Sequence, residues 1–211
     1  MDSTYIGRLV DVYNAASAVR TGKYYTTVNE LTDQVPATRP DTLRAAIAAL
    51  VDGGPPLGNK LLCEEDKGGI LGAGVSLELD LPLAMARWYP YVLPNGVAAS
   101  IKMEYFSGTL YVNGVAPGDE LVVVDDTLST GGTIVALADA VARIGARVVE
   151  IRVVVEKLGN GGRERIRQAL GLSVSSAIGI SVGSTGEVRV IEVQGRPLAS
   201  ADRPGRGRKL A

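Results

Sequence analysis

Apolar positions along this chain follow two rhythms, one of helices and one of buried strands. Over residues 6–20, Ile6, Leu9, Val10 and Tyr13 share a helical face, and Gly22 is placed to stop that helix. Residues 24–28 are short and β-prone. A turn-rich piece through Asp33, Pro36 and Pro40 leads to Asp41, the N-cap or first turn of a helix carrying Leu43, Ile47 and Leu50. Gly53, Gly54, Pro55 and Pro56 close it. A brief apolar strand follows at 60–63, then a polar loop at 64–69, a helix at 70–79 and a strand at 83–86. The same strand, loop, helix, strand succession returns from Leu121 to Val155, its helix at 134–144. After that come a charged helix at 163–170 and two strands, 178–182 and 188–193, joined by a turn at Ser184, Thr185 and Gly186.

Alternation of this kind predicts an α/β fold, a central parallel sheet flanked by helices. Residues 1–55 are expected to form N-terminal helices and a small hood, 56–195 the core, and 196–211 a flexible tail poor in apolar surface. Between the two units, residues 88–114 are rich in Tyr, Gly and Pro with little helical periodicity. A connection of that length inside one domain reads as a functional flap. No internal repeat is visible.

Composition narrows the chemistry. With 211 residues, 46% of them hydrophobic, the chain can bury a full core without cross-links. Cys63 is its one cysteine, so neither an internal disulfide nor a cysteine-based metal cluster can form. Histidine is absent altogether, which removes a Ser-His-Asp triad and leaves acid–base work to carboxylates, Lys, Tyr or the substrates. A formal charge of −1 argues against a nucleic-acid partner, although 203–209 are locally basic. No apolar stretch has membrane-spanning length and the start is unlike a signal peptide, so a cytoplasmic protein is expected.

Residues 121–133 carry the densest signal. An apolar run, Leu121 to Val124, ends in Asp125 and Asp126. Thr127, Ser129, Thr130, Gly131, Gly132 and Thr133 then lead into the next helix. Amides and hydroxyls at a helix N-terminus favour an anion. Two acids at the carboxyl end of a strand stand where open α/β sheets bind ligands, and are costly to leave there without a ligand or cation. Together they suit a sugar bearing both a phosphate and hydroxyls. No Lys follows the glycines, so the loop is not a Walker motif. A second loop sets Lys67 beside Gly68 and Gly69, where backbone amides could approach a diphosphate. The flap contributes Arg87, Lys102, Glu104 and Tyr105.

The 121–133 stretch resembles the phosphoribosyl pyrophosphate (PRPP) signature of type I phosphoribosyltransferases. Residues 65–73 resemble the first pyrophosphate loop of adenine phosphoribosyltransferases, with Asp66-Lys67 in place of Ala-Arg and Gly69 in place of an aromatic residue. Met103-Glu104-Tyr105 is similar to Leu-Glu-Tyr of that family's mobile catalytic loop. Residues 106–114, and Gly22 to Tyr25 followed by Thr32-Asp33, resemble archaeal hypoxanthine phosphoribosyltransferases. The resemblance implies transfer of phosphoribosyl from PRPP to a purine or purine-like base, with Mg²⁺ as cofactor. It implies that Asp125 and Asp126 hold the ribose hydroxyls, directly or through water on Mg²⁺, that Thr127 binds PRPP, and that Ser129, Thr130, Gly131, Gly132 and Thr133 take the 5′-phosphate. Asp66, Lys67, Gly68 and Arg87 would face the diphosphate. Glu104 would relay the base proton, and Tyr25, Tyr105, Lys157 and Leu158 would meet the acceptor. Arg87-Trp88 stands where adenine enzymes have Arg-Lys, which leaves open another aromatic acceptor such as orotate. A PRPP-sensing regulator is the alternative outside catalysis. A homodimer is also implied, with Trp88, Tyr89 and Tyr91 serving either as interface anchors or as pocket walls.

Overall fold

The computed structural model describes residues 4–22, 24–90, 93, 96–102 and 107–198. In chain order the elements are α1 (Thr4–Asn14), β1 (Ser17–Thr21), β2 (Tyr24–Val28), α2 (Pro40–Val51), β3 (Lys60–Glu64), α3 (Lys67–Leu79), β4 (Leu83–Arg87), β5 (Val97–Lys102) and β6 (Ser107–Asn113). They continue as β7 (Glu120–Leu128), α4 (Gly132–Ile144), β8 (Arg147–Lys157), α5 (Gly162–Leu170), β9 (Ser175–Val182), β10 (Val188–Val193) and β11 (Arg196–Pro197). The main sheet runs β11-β10-β9-β8-β7-β3-β4-β6-β5, and β1 with β2 forms a separate hairpin.

The five central strands, β9-β8-β7-β3-β4, are parallel. From β3 the chain winds outward through α3 to β4, and from β7 it winds the other way through α4 to β8. The carboxyl ends of β3 and β7 therefore lie side by side where the winding reverses, the place where such sheets open a crevice.

β7 explains why the sheet is covered on both faces. Leu121 and Val123 point into a core with Ile134, Leu137 and Val141 of α4 and Ile166 of α5. Val122 and Val124 point into a second core with Leu9 and Tyr13 of α1, Leu50 of α2, and Leu71 and Val75 of α3. A strand buried on both faces must be apolar at successive positions, as its sequence is. Of the segment expected to form a hood, α1 and α2 thus belong to the sheet's own core, and the β1–β2 hairpin is left to overhang. Arg152, 2% exposed within β8, joins the layers. Its guanidinium donates to the carbonyls of Leu50 and Gly54 at 2.9 and 3.0 Å and so satisfies the free end of α2. Gly53 leaves it room, since a Cβ there would meet the guanidinium carbon at 3.3 Å.

Several expected boundaries shift. The first helix ends at Asn14 rather than near residue 20, and Arg20 instead pairs with Tyr25 across the β1–β2 hairpin. Asn14 turns its side chain to accept a hydrogen bond from the Val190 amide (2.9 Å), fixing the helix end on β10. The third helix begins at Lys67, not at residue 70, so Lys67, Gly68 and Gly69 are its first turn and not a loop. Close packing overrides the poor helix propensity of these glycines. A Cβ on Gly72 would stand 2.7 Å from the Cys63 sulfur, and one on Gly68 3.3 Å from Oδ1 of Asp125. The flap contains a hairpin, β5–β6, that adds antiparallel strands to the sheet edge beyond β4. Past Gly195, Arg196–Pro197 pairs with β10 rather than fraying, while 199–211 lie outside the described residues. No helix among the described residues is long and apolar enough to cross a membrane.

Glu30, 4% exposed, braces the N-terminal elements by bonding Arg8 of α1 at 2.8 Å and Arg39, just before α2, at 2.6 Å. Hydrogen bonds from Arg39 hold its carboxyl down at about 2, against an ordinary 4.5. A depressed carboxylate stabilises the fold above its unfolded pKa and loses that contribution as pH falls through the folded one. Glu30→Gln should therefore destabilise the protein at pH 7 by about 1–2 kcal/mol, allowing for solvent screening of the exposed Arg39. Its deficit against wild type should shrink between about pH 4.5 and 2. Urea titrations at pH 7 and pH 3 test this, and a deficit that does not change with pH would refute the brace.

Candidate active site

A cleft of about 640 Å³ opens over the ends of β3 and β7. Glu64, Glu65, Asp66 and Lys67 line it from the β3–α3 side, and Asp125 to Ile134 from β7 and the turn into α4. The overhanging hairpin adds Tyr24, Tyr25, Thr26 and Thr27, and Thr32, Trp88 and Lys157 complete the walls. Two segments whose paired residues are 61 apart in sequence meet here because their strands are neighbours.

The acid pair lies at the floor. Asp126 is 5% exposed, its amide donates to Oδ1 of Asp125 (2.9 Å), and the Thr127 hydroxyl donates to its Oδ2 (2.8 Å). Burial pushes the Asp125 carboxyl well above the usual range, and the charges of Asp126 and Glu64 add to it. Burial also raises Glu64, which accepts a hydrogen bond from the Trp88 indole nitrogen. Two lysines face this negative floor. Burial works to lower Lys67, but Asp126, Asp33 and Asp66 outweigh it and hold it above its ordinary value. Its ammonium donates to Oδ1 of Asp33 at 3.1 Å. Lys157 is lowered, burial prevailing over the attraction of Asp126, and its ammonium donates to the Tyr25 carbonyl at 2.8 Å. Under the floor the Tyr13 hydroxyl is fully buried, and burial followed by the charge of Asp126 raises its pKa.

The turn from β7 into α4 presents a helix start with no side-chain cap. Gly131 holds the N-cap position at φ 72, the left-handed region a side chain resists. Its amide neighbours at the head of a 13-residue helix are available to an anion. Asn160 steadies the turn by donating to the Ser129 hydroxyl at 2.8 Å.

Asp66, Lys67, Tyr25, Lys157 and all of Asp125 to Thr133 are brought to this one cleft. Gly68 lies just beneath, packed on Asp125. Arg87 stands at the rim, its guanidinium bonded to Glu65 at 2.9 Å. Leu158 departs from expectation: its side chain is turned toward β9, where a Cβ on Gly179 would meet it at 2.9 Å, and it is not among the lining residues. Glu104 and Tyr105 lie outside the described residues. Trp88 lines the cleft, whereas Tyr89 is 62% exposed and Tyr91 lies outside the described residues. Sequence reasoning missed Glu64, Thr26, Thr27 and the contact of Asp33 with Lys67. An acid ending an apolar strand, as at Asp125, was the available signal for Glu64.

These features define a polar cleft at the point where a doubly wound sheet reverses its winding. Residues 44–182 match the family model described as the phosphoribosyl transferase domain. The chain is 36% identical over 178 residues to a hypoxanthine/guanine phosphoribosyltransferase of Methanopyrus kandleri, covering 84% of this chain and 93% of the relative. A protein of the same name from Methanocella arvoryzae is 33% identical, covering 84% and 92%. Among solved structures, an adenine phosphoribosyltransferase from Rhodothermus marinus shares the fold with a TM-score of 0.66 at 24% identity, covering 83% of this chain and 98% of that one. The chain belongs to the phosphoribosyltransferase family and is a PRPP-dependent enzyme of type I fold.

Burial of the Asp125 carboxyl has a measurable sign. A carboxyl raised in the folded state keeps its proton where the unfolded chain has lost it, so stability falls as pH rises above its ordinary 3.8. Near neutral pH Asp125 is therefore a destabilising residue. Asp125→Asn should raise the melting temperature of the ligand-free protein at pH 7 by roughly 2–4 °C, a gain that disappears near pH 4. The same substitution should weaken PRPP binding at least tenfold. Calorimetric melts and PRPP titrations check both, and a destabilised variant with unchanged binding would contradict the site.

Proposed function

We propose that this enzyme transfers phosphoribosyl from PRPP to a 6-oxopurine base, hypoxanthine or guanine, giving the nucleoside 5′-monophosphate and diphosphate in purine salvage. The observation that carries the reading is the acid pair Asp125–Asp126 lying beside an uncapped helix start and Lys67 in a single cleft. The choice of base is supported by the names of relatives 33–36% identical over most of the chain. The adenine enzymes, at 24% identity or less, speak for the fold alone.

In this reading Asp125 and Asp126 orient the ribose hydroxyls, and the 129–133 turn holds the 5′-phosphate by amides and hydroxyls. The bond from C1 to diphosphate breaks with its electron pair leaving on the diphosphate. Lys67 and the first amides of α3 face that growing charge, and Arg87 joins them on exchanging Glu65 for phosphate oxygens. The base nitrogen then bonds to C1, and its proton passes to Glu104. Tyr25, Tyr105 and Lys157 flank the base, and Trp88, already a wall of the cleft, serves as a pocket residue. The residues suit Mg²⁺. Among the described residues no cluster of three or more acids could hold a metal unaided, and an acid pair plus substrate oxygens is the sparse set Mg²⁺ accepts while keeping waters. Bound there, Mg²⁺ would neutralise diphosphate charge.

Incubation with PRPP, Mg²⁺ and a panel of bases, following diphosphate release, tests the assignment. Hypoxanthine and guanine should release diphosphate and adenine should not. Release with orotate alone, or with no base, would overturn it. Glu104→Gln should lower kcat by about 10²–10⁴-fold with PRPP affinity nearly kept. A variant within threefold of wild type would dismiss Glu104 as the proton acceptor.

The proposal includes a cytoplasmic homodimer. Light scattering should give twice the chain mass, and a monomer that turns over would refute the pairing.

A further inference from the structure

The turn at 129–133 is anionic-ligand machinery without a cation of its own: from Asp125 to Ala142 the chain has no Lys or Arg. It also stands next to two acids, so a phosphate dianion seated on it would meet amide dipoles on one side and carboxylates on the other. The missing positive charge comes from a neighbouring element. α5 packs its first turn against the phosphate turn at glycine distances. A Cβ on Gly131 would lie 3.0 Å from the Gly162 carbonyl oxygen and 3.2 Å from the Ile166 side chain, and a Cβ on Gly162 would collide with the Ser129 carbonyl oxygen. Contact this close carries Arg165 to the head of α4. Its Nη1 stands 3.4 Å from where a Cβ of Gly132 would be, on the side that also holds the Thr130 hydroxyl, 3.7 Å from the same point.

The other arginines of α5 are committed elsewhere. Arg163 is bonded to Glu156 and to the Val174 carbonyl, and Arg167 pairs with Glu164 at 2.7 Å. Arg165 forms no ion pair among the described residues. We infer that Arg165 is a specificity residue for the 5′-phosphate end of PRPP and of the nucleotide product, a cation lent by α5 to the amide cradle of α4. This rests on reading the turn as the 5′-phosphate site, and adds to that reading a residue which neither the motif nor the family model singles out. An exposed guanidinium acts there through solvent-screened attraction, so its contribution is moderate and salt-dependent.

The test uses the full chain with Arg165→Gln, Arg165→Lys and, as a surface control of equal charge change on the same helix, Arg167→Gln. Steady-state kinetics and calorimetry follow PRPP with Mg²⁺, the nucleoside 5′-monophosphate, and the unphosphorylated nucleoside as a probe lacking the group. Arg165→Gln should raise the KM for PRPP and the Kd of the monophosphate about tenfold at low salt, with kcat within twofold and nucleoside binding unchanged. The deficit should fall to about threefold or less at 0.5 M salt, where screening is short-ranged. Arg165→Lys should recover most of the loss, and Arg167→Gln should match wild type. Unchanged melting temperature in Arg165→Gln would separate the effect from unfolding. If wild type binds PRPP and Arg165→Gln binds it within twofold, or if Arg167→Gln loses as much, the inference is overturned while the function stands. If wild type binds no PRPP, the phosphate-site reading itself fails and this inference falls with it.

Discussion

A strand apolar on both faces that ends in two acids sets the terms for the rest of this molecule. Val122 and Val124 are sealed under α1, α2 and α3, Leu121 and Val123 under α4, and the next two residues carry the carboxylates. The layers that stabilise the sheet thereby draw Asp125 and Asp126 away from water. The cost shows as a raised Asp125, and the surroundings are organised around lowering it. Lys67 reaches in from the next strand's helix and Lys157 from the end of β8, each attracted by Asp126. Substrate hydroxyls and a metal's waters would complete what the protein leaves undone.

The N-terminal segment belongs to the same balance. Asp33 holds Lys67, and the Tyr25 carbonyl holds Lys157, so both cations are tethered from the segment that overhangs the cleft. Glu30, only three residues before Asp33, is itself clamped between Arg8 and Arg39. Lys157 is thus tethered to the hairpin itself and Lys67 to the segment that follows it.

How much of this could be read beforehand follows from the range of the forces involved. Strands β3, β4, β7, β9 and β10 were legible because burial on two faces, or alternation on one, is written locally. The turn at 129–133 was legible for the same reason, as a strand, an acid pair, a Gly-rich turn and a helix are contiguous. The first helix was overextended because small residues after Tyr13 keep a helical look, while the Asn14 bond to β10 that ends it spans most of the chain. Gly68 and Gly69 read as loop because helix propensity is local, whereas the reason for them is α3 lying against Cys63 and Asp125. Arg152 was invisible in an apolar strand, its partners being carbonyls about a hundred residues earlier. Within the cleft, the signature residues and Asp66, Lys67, Tyr25 and Lys157 had been singled out beforehand, whereas other residues that arrive only by tertiary contact had not. Glu64, Thr26 and Thr27 are of the second kind.

A chain without histidine has to bring other groups toward neutrality if it is to handle protons near pH 7, and burial does so here. Asp125 and Glu64 are raised and Lys157 is lowered, all three by desolvation first and all three on the walls of one cleft. Elsewhere among the described residues, carboxylates with a clear shift are moved the other way, as Glu30, Asp119 and Glu164 are by their basic partners. Structural ion pairs push acids down and stabilise the fold. The cleft pushes acids up and a lysine down, which costs stability and is sustained only where the surrounding core over-determines the geometry. For the shifted acids that opposition in sign distinguishes the cleft from the scaffold, while Lys67, held up by Asp126, Asp33 and Asp66, follows the pattern of an ion pair. Of the groups so shifted, Asp125 lies on the floor beside Asp126, and Lys157 lies under the hairpin, bonded to the Tyr25 carbonyl.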